Sequence, residues 1–239
     1  MMELQNKVAL ITGASSGIGR AIAEDLDAVG MNLILTARSQ DKLEKVAASL
    51  KNAKVFAATI TDPDVPQKLV DFAIATFGQL DVVINNAGAM TIGSIEEVDI
   101  EAVCQMVRLN VESVYRLAYT ALRYFKQNGS GFLINTSSIA GLKTSPTVGA
   151  YSGTKHAVEA FTDALRMELA GTGVKVAAIA PGTVDTGLYD HWGQDSKDWV
   201  MTGGALQPQD IARGVRTVLE QPDHVLIPRM LIVPTNAGF

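Results

Sequence analysis

The stretch KVALITGASSGIGR, Lys7–Arg20, decides the fold of this chain. After the leading lysine, its first residues are aliphatic or β-branched without polar alternation, which is typical of a strand buried on both faces of a parallel sheet. Glycines follow at positions 13, 17 and 19, and the next residues have the apolar spacing of a helix. A strand that runs through a glycine turn into a helix opens a β–α–β unit, so the rest of the chain should alternate in the same way.

Short apolar runs recur along the sequence and fit this expectation. They are KVALIT (7–12), NLILTA (32–37), AKVFAA (53–58), LDVVIN (80–85), GFLINT (131–136) and VKVAAIA (174–180). Segments with helical spacing lie between or after them, at about 17–29, 40–50, 63–77, 97–127, 150–170 and 208–220. The alternation predicts an α/β fold, with a single-domain doubly wound parallel sheet over residues 1–239 and helices on both faces.

The C-terminal third contains a further strand and one long connection. The run VLIPRMLIV (225–233) predicts an edge strand, because Pro228 is tolerated at an edge or a bend. The segment at about 183–205 has no clear periodicity and holds both tryptophans, Trp192 and Trp199. Long connections in α/β folds are often substrate loops or lids, and we predict that role here over an ordinary surface excursion.

The composition excludes several classes of function. The formal net charge of −5 leaves no basic footprint for nucleic acid or an anionic membrane surface. A single cysteine rules out a disulfide framework. The sequence has no leader pattern, no apolar run near the roughly 18 residues of a membrane helix, and no metal-ligand spacing. We therefore expect a cytoplasmic protein with a small-molecule ligand, no metal, and no nucleic-acid or membrane partner.

The glycine turn predicts a dinucleotide site. Its spacing, Gly13-x3-Gly17-x-Gly19, differs from GxGxxG, but the physical role is the same: glycines let the backbone approach a pyrophosphate at a helix N-terminus. Ser15 and Ser16 can add hydroxyl donors. The alternative is a tight turn without a ligand, which the strand before it and the helix after it make less favourable.

The end of the second strand indicates which dinucleotide is bound. An acidic residue here would bind the 2′-hydroxyl of NAD, but the sequence reads Thr36-Ala37-Arg38-Ser39. An arginine can pair with a 2′-phosphate, so Arg38 favours NADP(H) over NAD(H). The alternative is that Arg38 is a solvated side chain at the start of the next helix.

The sequence resembles the short-chain dehydrogenase/reductase family over nearly its whole length, from about Lys7 onward. The resemblance rests on a set of motifs in the family's order and spacing. They are TGASSGIG (12–19), NNAG (85–88), Asn110, Ser138 in NTSSIAG, YSGTK (151–155) and PGTVDT (181–186). It implies a seven-stranded Rossmann-like sheet and a homotetramer or homodimer.

The resemblance also implies roles for individual residues. Tyr151 corresponds to the general acid/base, Lys155 to the residue that binds the nicotinamide ribose and lowers the tyrosine pKa, and Ser138 to the substrate's hydrogen-bond partner. Asn110 corresponds to the residue that holds a water near the lysine. The implied cofactor contacts are Gly13, Ser15, Ser16, Gly17, Ile18, Gly19, Arg38, Ile60, Asp62, Asn86, Ala87, Gly88, Tyr151, Lys155, Pro181, Gly182, Val184 and Thr186.

One position departs from the family pattern. Many relatives carry an aspartate just after the third strand that meets the adenine amino group, whereas Thr59 stands there in this sequence. We expect the backbone of Ile60 and the side chain of Asp62 to hold adenine instead.

The spacing of Tyr151 and Lys155 suits this chemistry. Residues four apart lie one turn apart on the same face of a helix. One positive charge about 4 Å away supplies about 4 kcal/mol at an effective dielectric near 20, enough to lower a phenol pKa by about 3 units. This predicts a tyrosine that titrates close to neutral pH.

These observations predict an NADP(H)-dependent oxidoreductase that interconverts a ketone or aldehyde and an alcohol. Three alternatives stay open: an NAD-linked alcohol or hydroxy-acid dehydrogenase of the same fold, a dinucleotide-binding regulator with little turnover, and an epimerase or dehydratase. The last usually needs a longer substrate domain than 239 residues allow.

Overall fold

The computed structural model describes residues 3–189 and 204–236. Seven parallel strands form its sheet, in the order β3-β2-β1-β4-β5-β6-β7. The strands are β1 Val8–Thr12, β2 Asn32–Ala37, β3 Ala53–Ala57, β4 Val82–Asn85, β5 Gly131–Thr136, β6 Val174–Pro181 and β7 Arg229–Ile232. The predicted Rossmann-like parallel sheet is therefore confirmed.

Helices cover both faces of the sheet. They are α1 Gly17–Ala28, α2 Gln40–Ala47, α3 Val65–Phe77, α4 Ile100–Val107, α5 Ser113–Asn128, α6 Gly149–Glu168 and α7 Pro208–Leu219. One apolar cluster joins α1, α2 and α7 to Ala9 and Ile11 of β1, while a second joins α3, α5 and α6 to Val8 and Leu10. Successive residues of β1 thus face opposite layers, which is why its sequence is apolar throughout.

The predicted elements differ from the observed ones mainly at their ends. Helix α4 begins at Ile100 because the side chain of Asp99 accepts a hydrogen bond from the backbone N–H of Ala102. The predicted edge strand 225–233 is wrong in length, since only Arg229–Ile232 pair with β6. Pro228 lies just before it, and its carbonyl accepts from the N–H of Ala178.

The predicted continuous helix 97–127 is interrupted by a π-helical turn, Arg108–Glu112, between α4 and α5. A π turn inserts an extra residue into a helix and often occurs at functional sites. Asn110 is the buried residue of this turn.

The order of the strands predicts where a ligand can bind. Chain order runs outward from β1 to β3 on one side and from β4 to β7 on the other, so the topology reverses between β1 and β4. Ligands of open α/β sheets bind outside the carboxyl ends of the strands at such a point. Thr12, Asn85 and Thr136 end β1, β4 and β5 at this edge.

Candidate active site

The glycine turn after β1 is packed too tightly for side chains. A Cβ on Gly19 would lie 2.4 Å from the carbonyl oxygen of Gly13 and 2.6 Å from Nδ2 of Asn86. Gly13 and Gly17 have φ of +67° and +52°, in the left-handed region that favours glycine. Glycine at positions 13 and 19 therefore lets the turn pack closely against Asn86 and Ala87, beside the N-terminus of α1.

The N-terminus of α1 is not capped by a side chain. Ser16 occupies the cap position without a side-chain cap hydrogen bond, whereas Ser39 and Asp99 do cap α2 and α4. The first N–H groups of α1 and the hydroxyls of Ser15 and Ser16 are thus suited to an anionic group.

The turn is tied to the end of β4 by Thr12. Its hydroxyl oxygen accepts hydrogen bonds from the backbone N–H groups of Asn86 and Ala87, both at 2.9 Å. The side-chain amide of Asn86 donates to the carbonyl of Thr12 at 3.0 Å. The predicted ligand-binding residues 13–19 and 86–88 are therefore brought together across the point where the topology reverses.

Asn110 fixes the next residue of that loop. Its Oδ1 accepts from the N–H of Ala89 at 2.9 Å, and its Nδ2 donates to the carbonyl of Ala89 at 2.8 Å. Nδ2 also lies 3.2 Å from the hydroxyl of Thr154 on α6. Asn110 thus joins the π turn, the loop after β4 and α6, and the predicted water-holding role stays a prediction.

Tyr151 and Ser138 meet at the ends of α6 and β5. The phenol of Tyr151 is 7% exposed and hydrogen-bonded to the hydroxyl of Ser138. Ser138 is held in turn because its Oγ accepts from the N–H of Ala140 at 3.1 Å. A substrate oxygen placed between these two hydroxyls would meet two hydrogen-bond donors.

Lys155 lies one turn further along α6 and is 6% exposed. Its ammonium donates to the carbonyl of Thr136 at 2.8 Å and lies 5.8 Å from the centre of the Tyr151 ring. A Cβ on Gly88 would come within 3.8 Å of the Lys155 Nζ and 3.3 Å of the Asn110 Oδ1. Glycine at position 88 therefore leaves space beside the ammonium for a ligand.

The electrostatics of this pair correct the expectation from sequence. Burial raises the pKa of Tyr151 above its usual value, and this outweighs the lowering by the Ser138 hydrogen bond. Burial also lowers the pKa of Lys155 to about 8, against the raising influence of Glu159. The prediction of a tyrosine that titrates near pH 7 neglected the cost of burying a phenolate, so it is wrong for this structure.

Tyr189 is a residue of this region that the sequence did not single out. It is buried at the end of the loop after β6, and its charge would raise the pKa of Tyr151 further, which places the two phenols close together. The backbone of Val184 hydrogen-bonds to it. No motif in the sequence marks Tyr189, and its position beside Tyr151 becomes visible only in the structure.

The loop after β6 reaches the glycine turn. A Cβ on Gly17 would lie 3.2 Å from Cγ2 of Thr186. Gly182 is fixed because its N–H donates to the carbonyl of Ile232 at 2.7 Å. Pro181, Gly182, Val184 and Thr186 therefore lead from the end of the sheet to the pyrophosphate-binding turn predicted from the sequence.

A short β-bridge joins the chain near the two ends of the predicted lid. Val184 and Leu206 form a parallel β-bridge, and the N–H of Asp185 donates to the carbonyl of Leu206 at 2.8 Å. Most of the predicted lid, with Trp192 and Trp199, lies outside the described residues.

Three residues were predicted to contact the adenosine half of the dinucleotide. Arg38 follows β2, and Ile60 and Asp62 follow β3. Arg38 is exposed and forms no ion pair or hydrogen bond within residues 3–189 and 204–236. Ile60 is buried in the core, and Asp62 is exposed with Oδ1 3.3 Å from the N–H of Asp64. The guanidinium of Arg38 is therefore available to a ligand, and Ile60 can offer only its backbone.

A buried polar network supports the floor of the site. Asn85 Nδ2 donates to Asn135 Oδ1 at 3.0 Å, and Asn135 Nδ2 donates to the hydroxyl of Thr162 at 2.9 Å. These bonds connect the carboxyl ends of β4 and β5 to α6, which carries Tyr151 and Lys155. No motif of the sequence predicted this network, although Asn85 and Asn135, near the ends of two strands, were a visible signal.

A family model described as "short chain dehydrogenase" matches residues 7–197. The chain belongs to the short chain dehydrogenase family. Members of this family are oxidoreductases that bind nicotinamide dinucleotides, and the glycine turn, the space at Gly88 and the exposed Arg38 suit such a ligand.

Curated relatives of this short chain dehydrogenase include uncharacterized oxidoreductases from two staphylococci. One from Staphylococcus aureus is 38% identical over 236 residues, covering 98% of this chain and 100% of the relative. One from Staphylococcus saprophyticus is 37% identical over 241 residues, with the same coverage.

Solved structures share its fold. An alcohol dehydrogenase from the archaeon Thermococcus sibiricus, complexed with 5-hydroxy-NADP, matches with a TM-score of 0.87 and 30% identity, covering 98% of this chain and 99% of the other. The closed form of a serine dehydrogenase complexed with NADP+ matches with a TM-score of 0.91 and 26% identity, covering 97% and 96%.

Membrane-spanning helices and clusters of metal-ligating side chains would indicate other kinds of function. Across residues 3–189 and 204–236, none of the helices combines the length and apolarity needed to cross a bilayer. The same part of the chain has no group of three or more His, Cys, Asp or Glu side chains that could hold a metal ion.

Proposed function

We propose that this short chain dehydrogenase is an NADP(H)-dependent enzyme that interconverts a ketone or aldehyde and an alcohol. The observation that carries the proposal is the hydrogen-bonded pair of Tyr151 and Ser138 beside the buried Lys155, at the same sheet edge as the glycine turn. A dinucleotide-binding regulator with little turnover would need the glycine turn but not the pair of Tyr151 and Ser138.

The protein's own residues supply a proton and stabilise charge. Because burial keeps the pKa of Tyr151 high, its phenol holds a proton at neutral pH and can donate it to a substrate oxygen. Ser138 donates a hydrogen bond to the same oxygen as negative charge develops there. The ammonium of Lys155 then stabilises the phenolate that remains. Bound NADPH would supply the hydride.

The residues proposed to hold the dinucleotide follow from the same geometry. The N–H groups at the start of α1 and the hydroxyls of Ser15 and Ser16 would bind the pyrophosphate. Lys155 would donate to the nicotinamide ribose, beside Gly88. The relative from T. sibiricus was solved with 5-hydroxy-NADP and the serine dehydrogenase with NADP+, which supports NADP for this chain.

Replacing Arg38 tests the choice of dinucleotide. We expect Arg38→Ala to reduce the ratio of kcat/KM for NADPH to that for NADH at least tenfold, because the exposed guanidinium can pair with the 2′-phosphate. Arg123→Ala is the matched control, since it removes the same charge from an exposed position on α5. An unchanged ratio in Arg38→Ala would show that Arg38 is only a solvated side chain.

The pH dependence of catalysis tests the state of Lys155. The ammonium is the working form, and its pKa is about 8, so deprotonation removes it as the pH rises past that value. We expect kcat/KM for carbonyl reduction to be flat below pH 7 and to fall about tenfold per pH unit well above pH 8. Steady-state rates between pH 5.5 and 10 would measure this, and a profile flat to pH 10 would contradict the role of Lys155.

The substrate is proposed to have an apolar substituent. A groove of about 350 Å³ lies between the loop after β4, α4 and the start of α6, and Ala150, which precedes Tyr151 in the sequence, is part of its lining. Its lining is mostly apolar and includes Ile95, Val98, Ile100, Val103 and Ala150. A panel of alkyl and aryl ketones and aldehydes, followed by NADPH oxidation, would test both the activity and this preference.

A further inference from the structure

A second buried charge lies on α6 one turn beyond Lys155. Glu159 is 5% exposed, although glutamate is rarely buried without a partner. Its Oε2 accepts a hydrogen bond from Nε of Arg229 at 2.7 Å, and its Oε1 is buried without a hydrogen-bond partner among the described residues. Arg229 comes from β7, so the pair connects α6 to the edge of the sheet.

The turn of α6 between Lys155 and Glu159 is covered by a neighbouring part of the chain. The 3₁₀ turn Ile139–Gly141 lies against α6 at this point. A Cβ on Gly141 would be 2.9 Å from the carbonyl oxygen of Lys155 and 3.0 Å from Cγ of Glu159. Both side chains are buried on the same face of α6. The electrostatic attraction between the carboxylate and the ammonium therefore crosses the protein interior, where water screens it little.

Among the charged groups near Lys155, the Glu159 carboxylate is the one that raises its pKa, against the larger lowering by burial. Arg229 also contacts Asp163 at 3.2 Å, and Asp163 lies 3.5 Å from Arg166. Thr136 and Asn110, which face α6 from β5 and the π turn, are uncharged. The phenols of Tyr151 and Tyr189 stay neutral near pH 7 because burial raises the pKa of each.

We propose that Glu159 is a positioning residue whose carboxylate, ion-paired with Arg229, keeps the buried Lys155 side chain an ammonium ion. A buried cation without a counter-charge tends to lose its proton, and an opposite charge one turn away offsets this tendency. Glu159 touches neither Tyr151 nor the proposed ligand space at Gly88. This inference rests on the proposed function, since it supplies a reason for Lys155 to remain charged.

The decisive test is the titration of Lys155 itself. NMR of protein labelled with ¹³C at the lysine ε-carbon follows each lysine as the pH changes, and loss of a signal in Lys155→Arg identifies the one of interest. We expect a midpoint near 8 in the unaltered protein. In Glu159→Gln, which keeps the shape and one acceptor for Arg229, the midpoint should fall by about one pH unit. The fraction of ammonium at pH 8 would then fall about fivefold.

Two variants keep this test specific. Asp163→Asn removes the same charge from the other carboxylate bound to Arg229, one turn further from Lys155, and should leave the midpoint unchanged. Glu159→Asp retains the charge and should restore most of the midpoint. Equal midpoints in Glu159→Gln and the unaltered protein would overturn the proposal. So would an equally large fall in Asp163→Asn.

A double variant protects the test against misfolding. Glu159→Gln with Arg229→Gln removes both members of the ion pair, so neither of these two residues is left as a charge without its partner. Its Lys155 midpoint should also lie below that of the unaltered protein, and an unchanged midpoint would again contradict the proposal.

The titration needs neither a substrate nor turnover. A failure of the proposed function would be seen as a lack of NADPH-dependent activity in the unaltered protein, whatever the Lys155 midpoint. If both proposals hold, the alkaline fall of kcat/KM should move to lower pH in Glu159→Gln by the same amount as the NMR midpoint.

Discussion

A Tyr151→Phe variant should lose about a thousandfold in kcat for carbonyl reduction while still binding NADPH within tenfold of the unaltered protein. General acid catalysis by a positioned side chain contributes about 10²- to 10⁴-fold. The upper part of that range is expected here, because the Tyr151 phenol is buried and hydrogen-bonded to Ser138. Stopped-flow mixing with NADPH and steady-state rates would separate the chemical step from binding.

The matched control for this variant is Tyr115→Phe. The hydroxyl of Tyr115 lies 3.3 Å from the carbonyl of Ala157, so the change also removes a phenolic hydroxyl that contacts α6. It lies away from Ser138 and Lys155 and should alter kcat less than twofold. Full activity in Tyr151→Phe would refute the proposed role of Tyr151 as the proton donor.

The second large effect is expected at the glycine turn. Gly19→Ala places a Cβ against the carbonyl oxygen of Gly13 and Nδ2 of Asn86, both closer than van der Waals contact allows. Neither group can move without a cost in stability, because the oxygen belongs to the backbone and the side-chain amide of Asn86 donates to the carbonyl of Thr12. We expect the NADPH Kd to rise at least a hundredfold, and the free energy of unfolding to fall by about 1–3 kcal/mol from overpacking.

Gly153→Ala is the control for this change. Gly153 lies within α6, and a Cβ there would have no atom within 4 Å. Alanine should leave NADPH binding unaltered and stabilise the protein by about 0.5–1 kcal/mol, because glycine is a poor helix former. Calorimetric titration with NADPH and thermal unfolding of both variants would measure these effects. Unimpaired binding in Gly19→Ala would show that the turn can shift without loss.

The strands and the positions of the motifs could be predicted from the sequence because the signals are local. Continuous apolar runs such as VALIT fill both faces of a parallel strand, and glycine spacing marks the turn after it. The ends of the helices were predicted less accurately, because caps such as Asp99 depend on single hydrogen bonds. The π turn Arg108–Glu112 has the same apolar spacing as the helices beside it and could not be told from them.

The chemistry of the site was only partly accessible from the sequence. The i,i+4 spacing placed Tyr151 and Lys155 on one face of α6, but it carries no information on burial. Burial decides the direction in which both pKa values move, and smaller charge effects come from Tyr189 and Glu159, which no motif marks. The contacts of Thr12 and Asn110 likewise join parts of the chain that are distant in sequence.

The β-bridge between Val184 and Leu206 has a consequence for how this protein can change. The bridge holds two points of the chain side by side, although 21 residues lie between them in the sequence. Closing a loop twice as long costs only about 0.6 kcal/mol. Grafting residues from a relative between these two points should therefore be a route to new substrate preference, provided that Thr186 beside the glycine turn and Tyr189 beside Tyr151 are retained.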